Sequence, residues 1–455
     1  MTRNQRILKI AFVALIALAV VWRLYVAIRY QSRAWIDEMW VVLCPAYKLL
    51  TGAGEVKGDW AYDIRSYLPP SLVFLYLKAL DLIGVRDGRV ALAAVRVAIT
   101  LVTAGSFLIF IRHLAHANKL KWAPVLPALA LFFVPEFVHY GATADLSVLG
   151  LPILLLGLTA GHTWLGFVLL CLSALIRFQY GVFPALLLVW FLARREHRLA
   201  LRLAAVGALA LVFEVAFNSY MYGRAVFPLL SYLRANTVGG MASSFGEAPF
   251  YLAFEILWRF MTEPVFALVV FMCVFSVKRL PFLTISSLVF FLLHMFVGHK
   301  EYRFFYGPAV LLTAVSAASF QKWVELNPAR VRFAVLWIVA FAAFAGWRAE
   351  KKVRWADYEI PSRLETLAGA QSDIRGLISF GWSGVYAGCN YTLYRPLPSI
   401  HVSGPGELPA YKLKAHDFNY VVAPESQPPC AERVEARGGA GLYRCSEQEI
   451  LRLIQ

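Results

Sequence analysis

Residues 298–306 read Gly-His-Lys-Glu-Tyr-Arg-Phe-Phe-Tyr and place His299, Lys300, Glu301 and Arg303 between two otherwise oily runs. One cation at such a boundary serves as an interfacial anchor. Three cations with a carboxylate exceed that need, and they suit a phosphate whose own apolar tail lies in the bilayer. Near the other end, Asp37 and Glu38 follow the first apolar run in Trp-Ile-Asp-Glu-Met-Trp, residues 35–40. A carboxylate there is costly unless paired or functional, and at an interface it can take a proton from a hydroxyl. Adjacent acids point in different directions, so one of the two faces any given site; interfacial solvation is the plainer account of both.

Further candidates follow. In Trp-Ala-Tyr-Asp-Ile-Arg-Ser-Tyr, residues 60–67, Arg65 matches phosphate oxygens bidentately or pairs locally with Asp63. Trp60, Tyr62 and Tyr67 can stack on sugar faces or belong to an interfacial belt. Asp145 opens an apolar run, where a carboxylate also complements a helix N-terminus. Arg177 closes the next run, where snorkelling is the alternative. An interfacial base and a cationic cluster are what sugar transfer from a polyprenyl-phosphate donor requires: the base takes the acceptor proton and the cations stabilise the departing phosphate. No Walker A or GxGxxG sequence is present. Asp37, Glu38 and Asp145 could share a divalent metal, but no ligand spacing demands one, and no cofactor is required.

Such residues must be positioned by membrane elements. The 455-residue chain is 60% hydrophobic, above the roughly 45–50% of soluble domains. Its net charge of +16 lies in short loops between apolar runs, which argues against a nucleic-acid partner. Eleven spans are expected at roughly 8–28, 89–111, 122–138, 145–160, 163–177, 179–193, 200–217, 251–276, 281–297, 305–320 and 331–347. Lys and Arg fall in alternate loops if the N-terminus is cytoplasmic. Residues 30–88 and 218–250 are then large outer loops, with 68–84 a helix lying on the membrane surface. Residues 298–304 are also outside. Residues 1–347 read as an all-α transmembrane domain and 348–455 as a small extracytoplasmic α/β domain, with strand-like Arg-Gly-Leu-Ile-Ser-Phe, Phe-Asn-Tyr-Val-Val-Ala and Gly-Leu-Tyr-Arg-Cys. Cys430 and Cys445 flank a turn signal and either pair across a hairpin or stand as separate thiols.

At these residues the chain resembles the multispanning mannosyltransferases of glycosyltransferase family 22, in the GT-C superfamily. The segment 299–312, His-Lys-Glu-Tyr-Arg-Phe-Phe-Tyr-Gly-Pro-Ala-Val-Leu-Leu, is similar to the family's His-Lys-Glu-x-Arg-Phe signature. Residues 35–74 resemble its first outer loop, with Asp-Glu and then Ile-Arg-Ser-Tyr-Leu-Pro-Pro. Tyr-Gly-Ala-Thr-Ala-Asp at 140–145, Leu-Ile-Arg-Phe at 175–178, Asn-Ser-Tyr-Met-Tyr-Gly at 218–223 and a Cys-containing stretch at 388–398 resemble further family elements. Departures are Ile36 where the family has Pro before Asp-Glu, Phe178 where it has Pro, and Gly246-Glu247-Ala248-Pro249 in place of a His-Pro-Trp element.

The resemblance implies a GT-C fold and an inverting transfer of a sugar, mannose above others, from a polyprenyl-phosphate donor to a glycan or glycolipid acceptor outside the cytoplasm. Asp37 is then the base with Glu38 as the alternative. His299, Lys300, Arg303, Arg65 and Arg177 hold the donor phosphate. Asp145 and Asp63, with the three aromatics, face acceptor or sugar. Partners are the lipid-linked donor, the acceptor and the membrane, with a bacterial inner membrane favoured over endoplasmic reticulum. The rival classes are a transporter or flippase for a lipid-linked oligosaccharide and a non-catalytic polyprenyl-lipid-binding protein. Transport sites usually lie near the bilayer midplane, where this sequence reads as poor in charge.

Overall fold

The computed structural model describes residues 3–29, 38–52, 60, 62–241, 246–352, 359–380, 397–402, 404–411, 413–437 and 439–455. Asp37 lies outside the described residues. The chain divides into two compact units. The first comprises Met1–Val26, Ala98–Thr143 and Ser147–Lys352; the second comprises Ala27–Val97, Ala144–Leu146 and Val353–Gln455. Residues 27–97 are grouped with the C-terminal segment.

Among the described residues, five helices are long and apolar enough to cross a membrane: Ile10–Arg29, Gly88–Ala117, His197–Tyr222, Tyr302–Glu325 and Val331–Arg348. Two bent pairs qualify only when taken together: Val125–Phe133 with Pro135–Ala142, bent by 64°, and Leu252–Met261 with Glu263–Arg279, bent by 114°. Leu146–Ala160, Trp164–Ile176, Phe178–Ala193 and Pro281–Met295 are shorter apolar helices. Each lies where an apolar run was expected, yet eleven crossings do not follow. A 15-residue helix such as Leu146–Ala160 rises about 22 Å against a hydrocarbon core of roughly 30 Å.

The breaks have local causes. Val134 is extended at φ −61°, ψ 118°, as the residue before a proline favours. The break frees the carbonyls of the preceding turn. Buried Arg23, inside the helix Arg3–Arg29, answers them: its Nη2 donates to Leu131 O at 2.8 Å and its Nε to Phe132 O at 3.4 Å. The guanidinium lies 5.2 Å from the Phe107 ring centre and 5.4 Å from that of Phe132. At the second break, buried Thr262 holds φ 68°, ψ 154°, a conformation that costs a β-branched residue about 1–3 kcal/mol. Arg348 braces this bend. Its Nη1 donates to Arg259 O at 2.9 Å, its Nη2 to Glu263 at 2.7 Å, and it also pairs with buried Glu136 at 3.4 Å.

The core of the first unit is the central helix Tyr302–Glu325, 94% of whose apolar window is buried. It packs against Val125–Phe133, Glu263–Arg279 and Pro281–Met295. Its buried face carries Ala309, Ala314, Ala317 and Ala318, small residues that permit close helix approach. Gly307 and Gly150 make room for Tyr180: a Cβ on Gly307 would lie 2.6 Å from Tyr180 Cε1, and one on Gly150 would lie 2.9 Å from Cε2.

The second unit holds a π-helical turn Glu38–Leu43, the helix Cys44–Thr51 closed by Gly52 at φ 73°, and the helix Leu68–Leu82 that packs on it. Residues 68–82 are thus helical, as expected. The C-terminal segment forms a five-stranded sheet of β1 (Leu377–Phe380), β2 (Ser399–Val402), β3 (Tyr420–Pro424), β4 (Glu432–Arg437) and β5 (Ala440–Arg444), in the order β2-β1-β3-β5-β4. β1 runs parallel to β2 and β3; β5 is antiparallel to β3 and β4. β1, β3 and β5 were legible, whereas β2 and the charged β4 were not. Cys430 and Cys445 form a disulfide that closes the β4–β5 hairpin, and Cys44 is disulfide-bonded as well. The helix Glu447–Ile454 begins with a capping box between Ser446 and Glu449.

Candidate functional site

The central helix starts after a loop whose residues are held to one another. Lys300 Nζ donates to Ala248 O at 2.7 Å and to Val297 O at 2.8 Å, and the Ala248 N–H donates to Gly298 O at 2.9 Å. Partial burial lowers the Lys300 pKa. Two of its three N–H groups therefore fasten backbone, leaving one for a ligand. Glu301 takes the neighbouring cations: His299 Nε2 lies 2.6 Å from its carboxylate, and Arg303 meets both of its oxygens at 2.6 and 2.9 Å. His299 Nδ1 lies 3.2 Å from Gly246 O. Both ring nitrogens thus lie within hydrogen-bond distance of an oxygen.

Phe304 organises the rest. The Arg177 guanidinium carbon lies 5.5 Å from its ring centre and that of Arg303 lies 5.4 Å away, distances at which the ring quadrupole attracts a cation. The rings of His294 and His299 are centred 6.1 and 6.2 Å from it. Arg177 sits where the helix Trp164–Ile176 ends, at extended φ −135°, ψ 101°. It is only 3% exposed, and its Nη2 has no hydrogen-bond partner among the described residues. A buried guanidinium with an unmet donor is costly and marks a place for an acceptor-bearing ligand. Arg303 is fixed from behind. Its carbonyl accepts from Ser147 Oγ at 3.0 Å, and the Ser147 carbonyl accepts from Tyr180 O–H at 2.7 Å.

Three expected residues, His299, Arg303 and Arg177, thus meet around Phe304. Lys300 stands beside them with most of its donors engaged. His294 and Phe304 were missed. An ionisable residue in the apolar run Phe-Phe-Leu-Leu-His-Met-Phe-Val was the available signal.

The second unit holds the acidic residues. Glu38 is fully buried and binds Arg96 through both oxygens, at 3.0 Å from Nε and 2.5 Å from Nη2. Its Oε1 also accepts from the Ala144 N–H at 2.9 Å. This geometry gives Glu38 a holding role rather than that of a free base. Arg96, inside the apolar helix Gly88–Ala117, and Arg23 are buried charges that the sequence reading passed over, so these helices are not as poor in charge as expected. Asp145 is fully buried immediately before the helix Leu146–Ala160.

Trp60 is a packing residue. Its Nε1 donates to Trp40 O at 3.0 Å and its ring lies 4.4 Å from Tyr67. Tyr62 is exposed, Arg65 is half-buried, and Asp63 turns the chain at φ 56°. Among the described residues no group of three His, Cys, Asp or Glu is placed to hold a metal ion. Of the three carboxylates considered for a metal, Glu38 is engaged by Arg96 and the Ala144 amide.

Residues 14–354 match the model of the Alg9-like mannosyltransferase family. GPI mannosyltransferase 3 of Yarrowia lipolytica is 26% identical over 322 residues, which cover 67% of this chain and 61% of that protein. GPI alpha-1,2-mannosyltransferase 3 of Danio rerio is 23% identical over 340 residues, covering 70% and 62%. The chain thus spans about three fifths of the length of these curated relatives. A crystal structure of ArnT from Cupriavidus metallidurans bound to undecaprenyl phosphate superposes with a TM-score of 0.57 at 12% identity, covering 95% of this chain and 97% of that one. At that identity the match speaks for the GT-C fold alone.

Proposed function

This chain belongs to the Alg9-like mannosyltransferase family, and from that premise we propose that it is an inverting glycosyltransferase. It moves mannose from a polyprenyl-phosphate donor to a glycan or glycolipid acceptor at the extracytoplasmic face. The observation that carries this reading is the buried Arg177 guanidinium, with its open Nη2, beside Arg303 on the Phe304 ring. Such a site suits a phosphate on an apolar tail. Relatives named for GPI mannosyl transfer support mannose, and an undecaprenyl-phosphate-bound structural neighbour supports a polyprenyl lipid. The Cys430–Cys445 disulfide supports an oxidising, extracytoplasmic compartment for the C-terminal sheet.

The reaction is a single displacement. Asp37 accepts the proton of the acceptor hydroxyl, whose oxygen attacks the anomeric carbon. The bond from that carbon to the phosphate oxygen breaks, and the lipid leaves as a phosphate monoester. Arg177, Arg303 and His299 meet the charge that develops there. Lys300 and Glu38 keep their neighbouring segments in place, and Asp145 orients the acceptor.

The test uses purified chain in nanodiscs with polyprenyl-phosphate mannose and candidate acceptors, following release of polyprenyl phosphate. Acceptor-dependent release is expected from wild type and its loss from Asp37→Asn. Absence of donor binding in the wild type would refute the reading.

A further inference from the structure

His294 lies in the last turn of the helix Pro281–Met295, and the roles above leave it unused. It is buried, its ring stacks 4.4 Å from that of Phe290, and its Nδ1 lies 2.9 Å from the Phe290 carbonyl. A carbonyl only accepts, so Nδ1 carries a proton. Nε2 is therefore the position at which this ring changes state: a lone pair when neutral, a donor when charged. Phe304 lies beside His294, and Arg177 and Arg303 lie beside Phe304.

The charged surroundings of His294 can be enumerated. Arg177 acts on it electrostatically. The loop and start of the central helix contribute His299, Lys300, Glu301 and Arg303, of which Glu301 already binds His299 and Arg303. The helix Val182–Ala193 carries no titratable group. On Leu252–Met261, Glu255 and Arg259 pair with each other. On Glu263–Arg279, Glu263 is held by Arg348, while Cys273, Lys278 and Arg279 lie in later turns. An anion held by Arg177 and Arg303 at the Phe304 ring favours the charged form of an imidazole beside it.

We propose that Arg177, Arg303 and His294 around Phe304 form one anion subsite, in which His294 takes up a proton as the lipid ester is bound and donates it from Nε2. This rests on the donor-phosphate reading above. It gives His294 a specific part in that reading. When the anomeric C–O bond breaks, the shared oxygen stays with phosphorus, and a singly charged diester becomes a doubly charged monoester. A proton from water on Nε2 offsets the added charge. The three residues thereby favour the leaving group over the substrate, which is where binding accelerates the step.

The test separates His294 from the donor reading by using farnesyl sulfate, whose charge stays constant near neutral pH. Its Kd is measured against the full chain in nanodiscs from pH 8.0 to 5.5. Wild type is expected to bind more tightly as pH falls, by up to about tenfold per pH unit where the linked group titrates. His299→Gln, whatever its affinity, keeps that slope, and His294→Gln abolishes it. His294→Asn is the second variant should His294→Gln not purify folded. A flat wild-type profile, or a slope that survives in the His294 variants, overturns the proposal while leaving the donor site standing. Absence of binding by both farnesyl sulfate and farnesyl phosphate in wild type overturns the donor site itself.

Discussion

Glu38 and Arg96 form a two-point ion pair with 0% and 2% of their side chains exposed. Removing one partner of such a pair strands the other in a low-dielectric interior and costs about 3–5 kcal/mol. Glu38→Ala is therefore expected to lower the thermal unfolding temperature in detergent markedly. The paired change Glu38→Met with Arg96→Met should recover part of the loss. Equal destabilisation by the single and double variants would remove the pair from the account.

Adjacent acids should separate cleanly in their effects. Asp37→Asn is expected to lower turnover by about 10²–10⁴-fold, the usual contribution of a general base, with donor affinity and stability unchanged. Glu38→Gln keeps the shape but loses the charge that Arg96 requires, so its main effect should appear in unfolding. Side-by-side turnover and thermal melts check both, and a swap of the two phenotypes would reassign the base.

Tyr180 leaves no space beside Gly307. With a Cβ 2.6 Å from Tyr180 Cε1, Gly307→Ala forces a shift costing about 1–3 kcal/mol. Combining it with Tyr180→Leu should relieve the clash but also remove the hydrogen bond to the Ser147 carbonyl. The measurement is a melt of both single variants and the double variant. Strict additivity would show that the contact does not set the spacing.

Arg23 stands at a helix end made by Pro135. Arg23→Met keeps apolar volume between Phe107 and Phe132 but leaves the Leu131 carbonyl without its donor. A buried acceptor stripped of its partner costs about 1–3 kcal/mol, so the variant should melt earlier than Arg112→Met, a change in the same helical unit. Indistinguishable melts would argue against the cap.

The β4–β5 hairpin is closed by a disulfide spanning 15 residues, a loop for which chain-entropy estimates give about 3 kcal/mol. Cys430→Ser should make the C-terminal sheet more susceptible to limited proteolysis in the full chain, and reductant should have the same effect on wild type. Protection unchanged in both cases would show the sheet stable without the cross-link.

Much of this architecture was readable in advance because its signals are local. Every apolar run became a helix or a bent pair, and short runs with aliphatic and aromatic residues marked β1, β3 and β5. The breaks were less readable. Val134 yields to Pro135 by a local rule, but the bend at Thr262 is held on both sides by Arg348, 85 residues away in sequence from Glu263. Arg96 was passed over because a lone arginine in an apolar helix has no visible partner until the fold supplies Glu38, 58 positions earlier. His299, Arg303 and Arg177 were legible by type, whereas Phe304, which gathers them, resembles any other phenylalanine in an apolar segment. Lys300 was legible as a cation but not as one that bonds backbone, since one of its two acceptors, the Ala248 carbonyl, lies 52 residues away.

That lysine bears on how such a protein can diverge. Three hydrogen bonds that fasten residues 246–248 to residues 298–300 reach the carbonyls of Gly246 and Ala248 and the amide of Ala248, all main-chain groups of that loop. A buckle made on the main chain ignores the letters printed along the strap. The stretch where this chain reads Gly-Glu-Ala-Pro in place of the family's His-Pro-Trp can therefore be rewritten without slipping its position, so novelty can accumulate there while the cationic signature beneath stays in register.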